Sequence, residues 1–267
     1  MTLITLHSDN LRSESIPCVD LKNPNNRDLF MYNQTWLQDR FEEGLVIIKM
    51  DSPREAFLEF IPAEKAWKPI SAPGYIFINH IFVEHPDPDH WIKSELLQQC
   101  ETENSDTNGM LIMLDREEFQ RDKDFYIQRG YLEHAHLLGL VLLVKKFKIQ
   151  APSPYFTQPV ELIDEIPAHD ITIKYADQSE FSNYYMYIMK KDFEDLGFKV
   201  RLIKLNNARE ARESGSPYGT FGVFMDGHFL THKLLNQNAI EALIGNLDLD
   251  EMYPEFSTLN SRELTAD

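Results

Sequence analysis

Cysteine is scarce in this 267-residue chain: Cys18 and Cys100 are the only two, distant in sequence and not spaced as metal ligands. A disulfide framework and a thiolate metal centre are therefore not expected, and the reading is a reduced, cytoplasmic protein. Positive charge is also short. Lys and Arg number 26 against 43 Asp and Glu, a net charge of −17, so the clustered cations that nucleic-acid phosphates need are lacking. An acidic surface of this kind keeps a protein soluble, and it also draws cationic substrates such as amines. No apolar run reaches the ~20 residues of a membrane span. The opening MTLITLHSDNLRSES has no basic flank before an apolar stretch, so no secretory leader is expected. Internal repeats and low-complexity segments are absent as well.

What is present suggests two domains, since the length exceeds the usual single-domain size. Leu3 to His7 suits a strand, and Arg27 to Glu43 one or two short helices closed by Gly44. Leu45–Met50 and Glu55–Ile61 read as a hairpin about Asp51-Ser52-Pro53-Arg54. The organising stretch is Pro73 to Cys100: a long buried strand from Tyr75 to Val83, a proline-marked turn, then an amphipathic helix. Met110–Leu114 follows as a strand, Phe119–Arg129 as a helix ending at Gly130, and Gly139–Phe147 as a closing strand. Residues 149–170, with four prolines from Pro152 to Pro167, read as a linker.

Beyond the linker the pattern is β-α-β-α-β-β-α over residues 171–246. Its strands are Ile171–Tyr175, Phe198–Leu205 and a hairpin about Asp226-Gly227; Asn236 caps the last helix. Phe181, Tyr184, Tyr185, Ile188, Met189 and Phe193 share helical spacing, which assigns Tyr184 and Tyr185 to the core with Tyr187 facing outward. This outline is thioredoxin-like. Residues 247–267 form an acidic tail. The fold class is thus α/β (α+β): a mixed sheet with flanking helices over residues 1–148, and a smaller second domain.

Phe125-Tyr126-Ile127-Gln128-Arg129-Gly130-Tyr131 resembles the late motif of GNAT-type N-acetyltransferases, an aromatic pair and three variable residues before Gly-aromatic. It lies between two strands and downstream of the long strand with its helix, as that family would have it. Ser216-Pro217-Tyr218-Gly219-Thr220-Phe221-Gly222, followed by Phe229-Leu230-Thr231-His232, resembles the domain that follows a GNAT domain in YoaP-like proteins. The resemblance implies acetyl-coenzyme A as donor and a small-molecule or peptide amine as acceptor. It implies Tyr126 as general acid to the departing thiolate, with Glu84 or Glu59 as general base. It also implies Ile81, Phe82 and Val83 beside the thioester, and Ser94 and Phe125 on the coenzyme.

The family's coenzyme loop carries glycines so that backbone N–H groups can close on phosphate. Here residues 84–93 contain none. Pro86 and Pro88 lack an N–H, and Glu84, Asp87 and Asp89 bring negative charge, with Trp91 adding bulk. Asp87-Pro88 reads as an N-cap followed by proline at the first helical position, a helix start that satisfies its own dipole. His80, His85 and His90 with the intervening aspartates match no metal-ligand spacing, and His134 with His136 is no stronger, so no metal is expected. Where a redox thioredoxin needs a cysteine the second domain has Ser179, and Gly219 stands at the position of its cis-proline. Two functions follow from these residues: an N-acetyltransferase with an unusual donor site, or a non-catalytic binding scaffold built on the same two folds.

Overall fold

The fold is given by a computed structural model that describes residues 2–6, 10, 14, 27–51, 56–83, 90–157, 170–178 and 180–245. In the first unit the strands are β1 (Thr2–Leu6), β2 (Val46–Asp51), β3 (Ala56–Pro62), β4 (Ile70–Ser71), β5 (Tyr75–Val83), β6 (Gly109–Leu114), β7 (Leu132–Leu137), β8 (Leu140–Lys146) and β9 (Tyr155–Phe156). The helices are α1 (Arg27–Glu42), α2 (Trp91–Glu103) and α3 (Arg116–Ile127). Seven strands form one mixed sheet in the order β1-β2-β3-β5-β6-β8-β7, and β4 pairs with β9 apart from it. Every neighbouring pair in the large sheet is antiparallel except β5 and β6, which run parallel.

Successive side chains of a strand point to opposite faces, and here both faces are covered. Ile47, Phe57, Phe77, Leu111 and Leu142 join Trp36 and Leu37 of α1 on one side. Ile48, Leu58, Ile78, Ile112 and Leu143 meet Ile92, Leu96 and Leu97 of α2 and Phe125 and Tyr126 of α3 on the other. Burial on two faces is why the central strands read as continuous apolar runs rather than alternating ones.

The parallel pair opens along its length. Tyr75–Ile78 of β5 are in register with Gly109–Ile112 of β6, and the pairing then stops although both strands continue. On its other edge β5 follows β3 up to Val83, with a bulge: Glu59 pairs with His80 and Phe60 with Ile78, leaving Asn79 as the extra residue. A bulge bends its strand and increases local twist. β5 turns away from β6 at this point, so the backbone of residues 79–83 has no ladder partner on the β6 side among the described residues.

Several boundaries differ from the sequence reading. Helix α3 begins at Arg116, earlier than Phe119, because Asp115 and Glu118 form a capping box in which each carboxylate accepts the other's backbone N–H (2.8 and 3.0 Å). Gly139 belongs to the tight turn between β7 and β8, not to the strand; Leu138 before it is also left-handed (φ 46°). Part of the expected linker packs on the first unit. Tyr75 Oη donates to the Pro152 carbonyl (2.7 Å), Ala151 is in the core, and Tyr155 and Phe156 form β9.

The second unit comprises β10 (Asp170–Tyr175), α4 (Glu180–Asp195), β11 (Lys199–Lys204), α5 (Ala208–Arg212), β12 (Phe221–Met225), β13 (His228–Thr231) and α6 (Gln237–Gly245). Its sheet has the order β11-β10-β12-β13, parallel between β10 and β11 and antiparallel elsewhere. Asn207 and Asn236 cap α5 and α6 through their side-chain oxygens. On α4 the core stripe is Met186, Met189 and Phe193, at i, i+3 and i+7. Tyr184 and Tyr185 fall outside that stripe and are exposed along with Tyr187, which corrects their assignment to the core. Aromatic rings tolerate the surface because their polar tips stay wet.

The units meet at Trp67. Its indole packs among Ala176, Leu205, Ala208 and Ala211 of the second unit, and α1 lies against α4. Arg212 Nη1 donates to the Glu64 carbonyl (2.5 Å), and Lys68 Nζ to the Tyr218 carbonyl (2.9 Å).

Candidate active site

The opening between β5 and β6 holds a cavity of about 250 Å³. Ile81 and Asn79 line one wall, and Met113, Leu114 and Asp115 the other. Helix α3 supplies Glu118, Asp122 and Tyr126 to the floor. The Tyr126 phenol is 1 % exposed, and its hydroxyl forms no hydrogen bond among the described residues. Burial raises its pKa, reinforced by Asp122 and Glu118, so the group stays protonated. A buried hydroxyl that lines a cavity without a partner is able to donate to whatever enters.

Both signs of charge line the cavity. Lys93 Nζ pairs with Asp122 (3.1 Å), lies over the rings of Phe125 (4.7 Å) and Tyr126 (5.0 Å), and is shadowed by Arg121 on the same carboxylate (3.0 Å). Burial acts to raise Asp122, but Lys93 and Arg121 outweigh it and hold the carboxyl below the usual range. Asp115, Glu118 and the Lys68 ammonium also line the cavity, with Glu59 close to Lys68. The Glu59 carboxyl accepts from Asn79 Nδ2 (2.7 Å). Burial raises the Glu59 pKa against the opposing pull of that hydrogen bond and of Lys68. Burial likewise brings the Lys68 ammonium down to about 8, although Glu118 and Glu59 favour its charged form.

Helix α2 carries Lys93 in its first turn. Its N-cap is His90, left-handed at φ 50° and making no side-chain capping bond, and its first turn carries no acidic residue. The expected Asp87-Pro88 start lies outside the described residues, within which the helix begins at Trp91. Trp91 is about half exposed rather than filling the junction. Arg129 reaches the same turn from just beyond α3, donating to Ser94 Oγ and to the Phe125 carbonyl (2.9 Å) with its guanidinium 3.8 Å above the Phe125 ring. The helix dipole and the Arg129 guanidinium converge on this turn, an arrangement suited to an anion.

Of the residues singled out in the sequence, Tyr126 and Ile81 line the cavity, whereas Phe125 and Ser94 meet Arg129 at the α2 turn. Phe82 stacks on Phe57 (5.5 Å) and Val83 packs with the α2-side core, and neither lines the cavity. Glu84, together with Pro86, Asp87, Pro88 and Asp89, lies outside the described residues, as do Cys18, His85, Ser179 and the tail. Gly130 at the end of α3 has φ 87°, the left-handed turn that lets Tyr131 fold back onto Tyr126 (5.5 Å). His80 lies against Phe57 and Phe82, and His90 against Phe125. His134 Nε2 meets the Pro154 carbonyl (2.8 Å) and His136 meets Glu133. Among the described residues no three His, Cys, Asp or Glu side chains are grouped to hold a metal. Cys100 is buried, and burial with Glu103 and Glu101 raises its thiol.

With this geometry in place, the relatives can be read. The chain is 28% identical over 252 residues to the uncharacterized N-acetyltransferase YoaP of Bacillus subtilis, across 92% of this chain and all of that one. Its likeness to YoaP runs nearly end to end. Residues 200–241 match the family described as YoaP-like. Solved structures similar to part of the chain include PaiA N-acetyltransferase from Thermoplasma acidophilum in complex with coenzyme A, 11% identical, covering 55% of this chain and 99% of that one at a TM-score of 0.38. An N-acetyltransferase from Staphylococcus aureus is 12% identical, covering 55% and 100% at 0.39. No helix among the described residues is long and apolar enough to cross a membrane.

The sequence reading missed Lys68, Lys93, Asp115, Glu118, Tyr218 and His232, all of which line the cavity, and Arg129 at the α2 turn. Asp115 and Glu118 had a signal, the D-x-x-E capping spacing. Tyr218 and His232 stood within the YoaP-like motif without a role, and the lysines and Arg129 had no signal, because these roles depend on which elements meet.

Proposed function

We propose that the chain is a GNAT-type N-acetyltransferase that transfers an acetyl group from acetyl-coenzyme A to a small-molecule or peptide amine. The observation that carries this reading is the opening of β5 from β6, with unpaired strand backbone on one side and the buried, unpartnered Tyr126 hydroxyl at its floor. The end-to-end likeness to a protein named as an N-acetyltransferase points the same way. The residues present fit the coenzyme: the first turn of α2 is free of carboxylates, and Ser94, Arg129 and Phe125 stand beside it. When bound there, acetyl-coenzyme A supplies the thioester whose acyl carbon the amine attacks.

The chain's own groups have these roles. Backbone N–H and C=O groups of Ile81, Phe82 and Val83 hold the donor in extended form, as an added strand would. Tyr126 Oη holds a proton for the departing sulfur. The amine must lose its own proton before attack, and Lys68, with a pKa of about 8, is the group able to take it once the pH rises through that value. The second unit is a thioredoxin-like module without redox chemistry, since both cysteines belong to the first unit's sequence. Titration with coenzyme A, acetyl-coenzyme A and a longer acyl-coenzyme A tests the reading, followed by calorimetry and thermal melting. Binding of all three with a raised Tm is expected. An unchanged Tm and no heat at millimolar coenzyme would refute it.

A further inference from the structure

The cleft is not closed by the first unit alone. Tyr218 and His232, from the loop before β12 and the residue after β13, complete its lining on the side of Asp115 and Glu118. Their rings are stacked, with centroids 3.3 Å apart and planes 12° from parallel. The loop bearing Tyr218 is firmly braced. Ser216 Oγ donates to the Phe221 carbonyl (2.6 Å), Tyr218 N–H donates to Ser216 Oγ (3.2 Å), and the buried Lys174 ammonium donates to the Ser214 carbonyl (2.6 Å). Lys68 fastens the same loop across the unit boundary through the Tyr218 carbonyl.

Lining the same cavity are two carboxylates whose capping bonds use one oxygen each. Glu118 N–H donates to Asp115 Oδ1 and Asp115 N–H to Glu118 Oε2, so Asp115 Oδ2 and Glu118 Oε1 have no hydrogen bond among the described residues. Half-buried carboxylates with an aromatic pair beside them on the same cavity lining make a site for an ammonium group. Burial, aided by Lys233, holds the His232 imidazole near 4, so at neutral pH the stack opposes no charge of its own to an incoming cation.

We infer that the second unit is part of the acceptor site: Tyr218 and His232 form the aromatic wall that, with Asp115 and Glu118, selects a primary alkylammonium as acceptor. That the bound cation is the acyl acceptor rests on the acetyltransferase reading above; the cation site itself does not. Specificity for the amine is then divided between the two units, and acceptor recognition requires them docked.

The test uses the full chain. Butylamine, diaminobutane and phenethylamine are titrated by calorimetry against the alcohols of the same skeletons, with circular dichroism and Tm confirming that each variant is folded. Amines bind in preference to their alcohols, and Asp115→Asn, which keeps an N-cap oxygen but removes the charge, abolishes the preference. Tyr218→Ala combined with His232→Ala weakens amine binding about tenfold, the scale of a desolvated cation–π contact, while Tyr218→Phe retains it. Failure of all three amines to bind, equal binding of amine and alcohol, or indifference to the double variant overturns the inference. Acetyl transfer to the same amines is measured in parallel. Transfer with an amine KM unaffected by Tyr218 and His232 overturns this assignment and leaves the acetyltransferase reading intact. Selective, Tyr218-dependent amine binding without coenzyme binding does the reverse.

Discussion

Tyr126 and Lys68 face the same cavity, yet burial moves them in opposite directions relative to their tasks. It raises the phenol, which keeps its proton at any working pH, and it lowers the ammonium to about 8, which makes the amine a usable base. Tyr126→Phe keeps the ring that packs on Phe125 and Tyr131 and removes a hydroxyl that has no partner, so folding stability changes little. Turnover falls about 10²–10⁴-fold, the usual contribution of a positioned acid, while coenzyme affinity is retained; stopped assays with single substrates check it. Lys68 gives a sign that can be worked through. Its ammonium is protonated below about 8 and cannot accept, so kcat/KM rises with pH through that value and levels off above it. Lys68→Arg fixes the charge and removes the inflection. A wild-type profile flat between pH 7 and roughly 9 would show that another group takes the proton.

At the scale of elements, strands and caps were largely legible and the opening was not. Continuous apolar runs announced the buried central strands, Gly44 and Gly130 closed their helices, and Asp226-Gly227 made its hairpin, because each depends on neighbouring residues alone. The Asn79 bulge left no local mark: a sequence does not show which of two adjacent residues a ladder will skip. The tyrosines of α4 were misassigned because aromatic and aliphatic positions were counted together, and only the Met186–Met189–Phe193 stripe faces the sheet. At the start of α2, acidic residues before Lys93 suggested an occupied dipole, whereas within the described residues the helix begins at Trp91 and its first turn has no carboxylate. The prediction here concerns Arg129, which adds a guanidinium to that turn. Arg129→Gln weakens coenzyme A about tenfold or more, as loss of a charge-assisted phosphate contact should, and leaves the amine KM unchanged. Calorimetry with coenzyme A and with dephosphorylated pantetheine separates the two cases, since pantetheine has no phosphate to lose.

For the molecule as a whole, the decisive contact is one that no spacing rule anticipates: Lys68 and Tyr218 are 150 positions apart and meet only because the units dock. Gly219 is the tightest point of that docking. Its φ is +78°, and a Cβ there would lie 1.8 Å from the Trp67 carbonyl oxygen, so a side chain is excluded twice, by backbone conformation and by the neighbouring unit. The Trp67 carbonyl is backbone of the first unit and has no freedom to withdraw while its indole is held among Ala176, Leu205, Ala208 and Ala211. Gly219→Ala therefore forces the units apart or displaces the loop that bears Tyr218, without touching the α2 turn. The expected outcome is a larger radius of gyration by solution scattering, a raised amine KM and an undiminished thermal shift with coenzyme A. Global unfolding would abolish that thermal shift, so the retained shift identifies undocking as the cause. An unchanged scattering profile with a normal amine KM would mean that Trp67 and the loop can separate without cost, and that the first unit recognises its acceptor unaided.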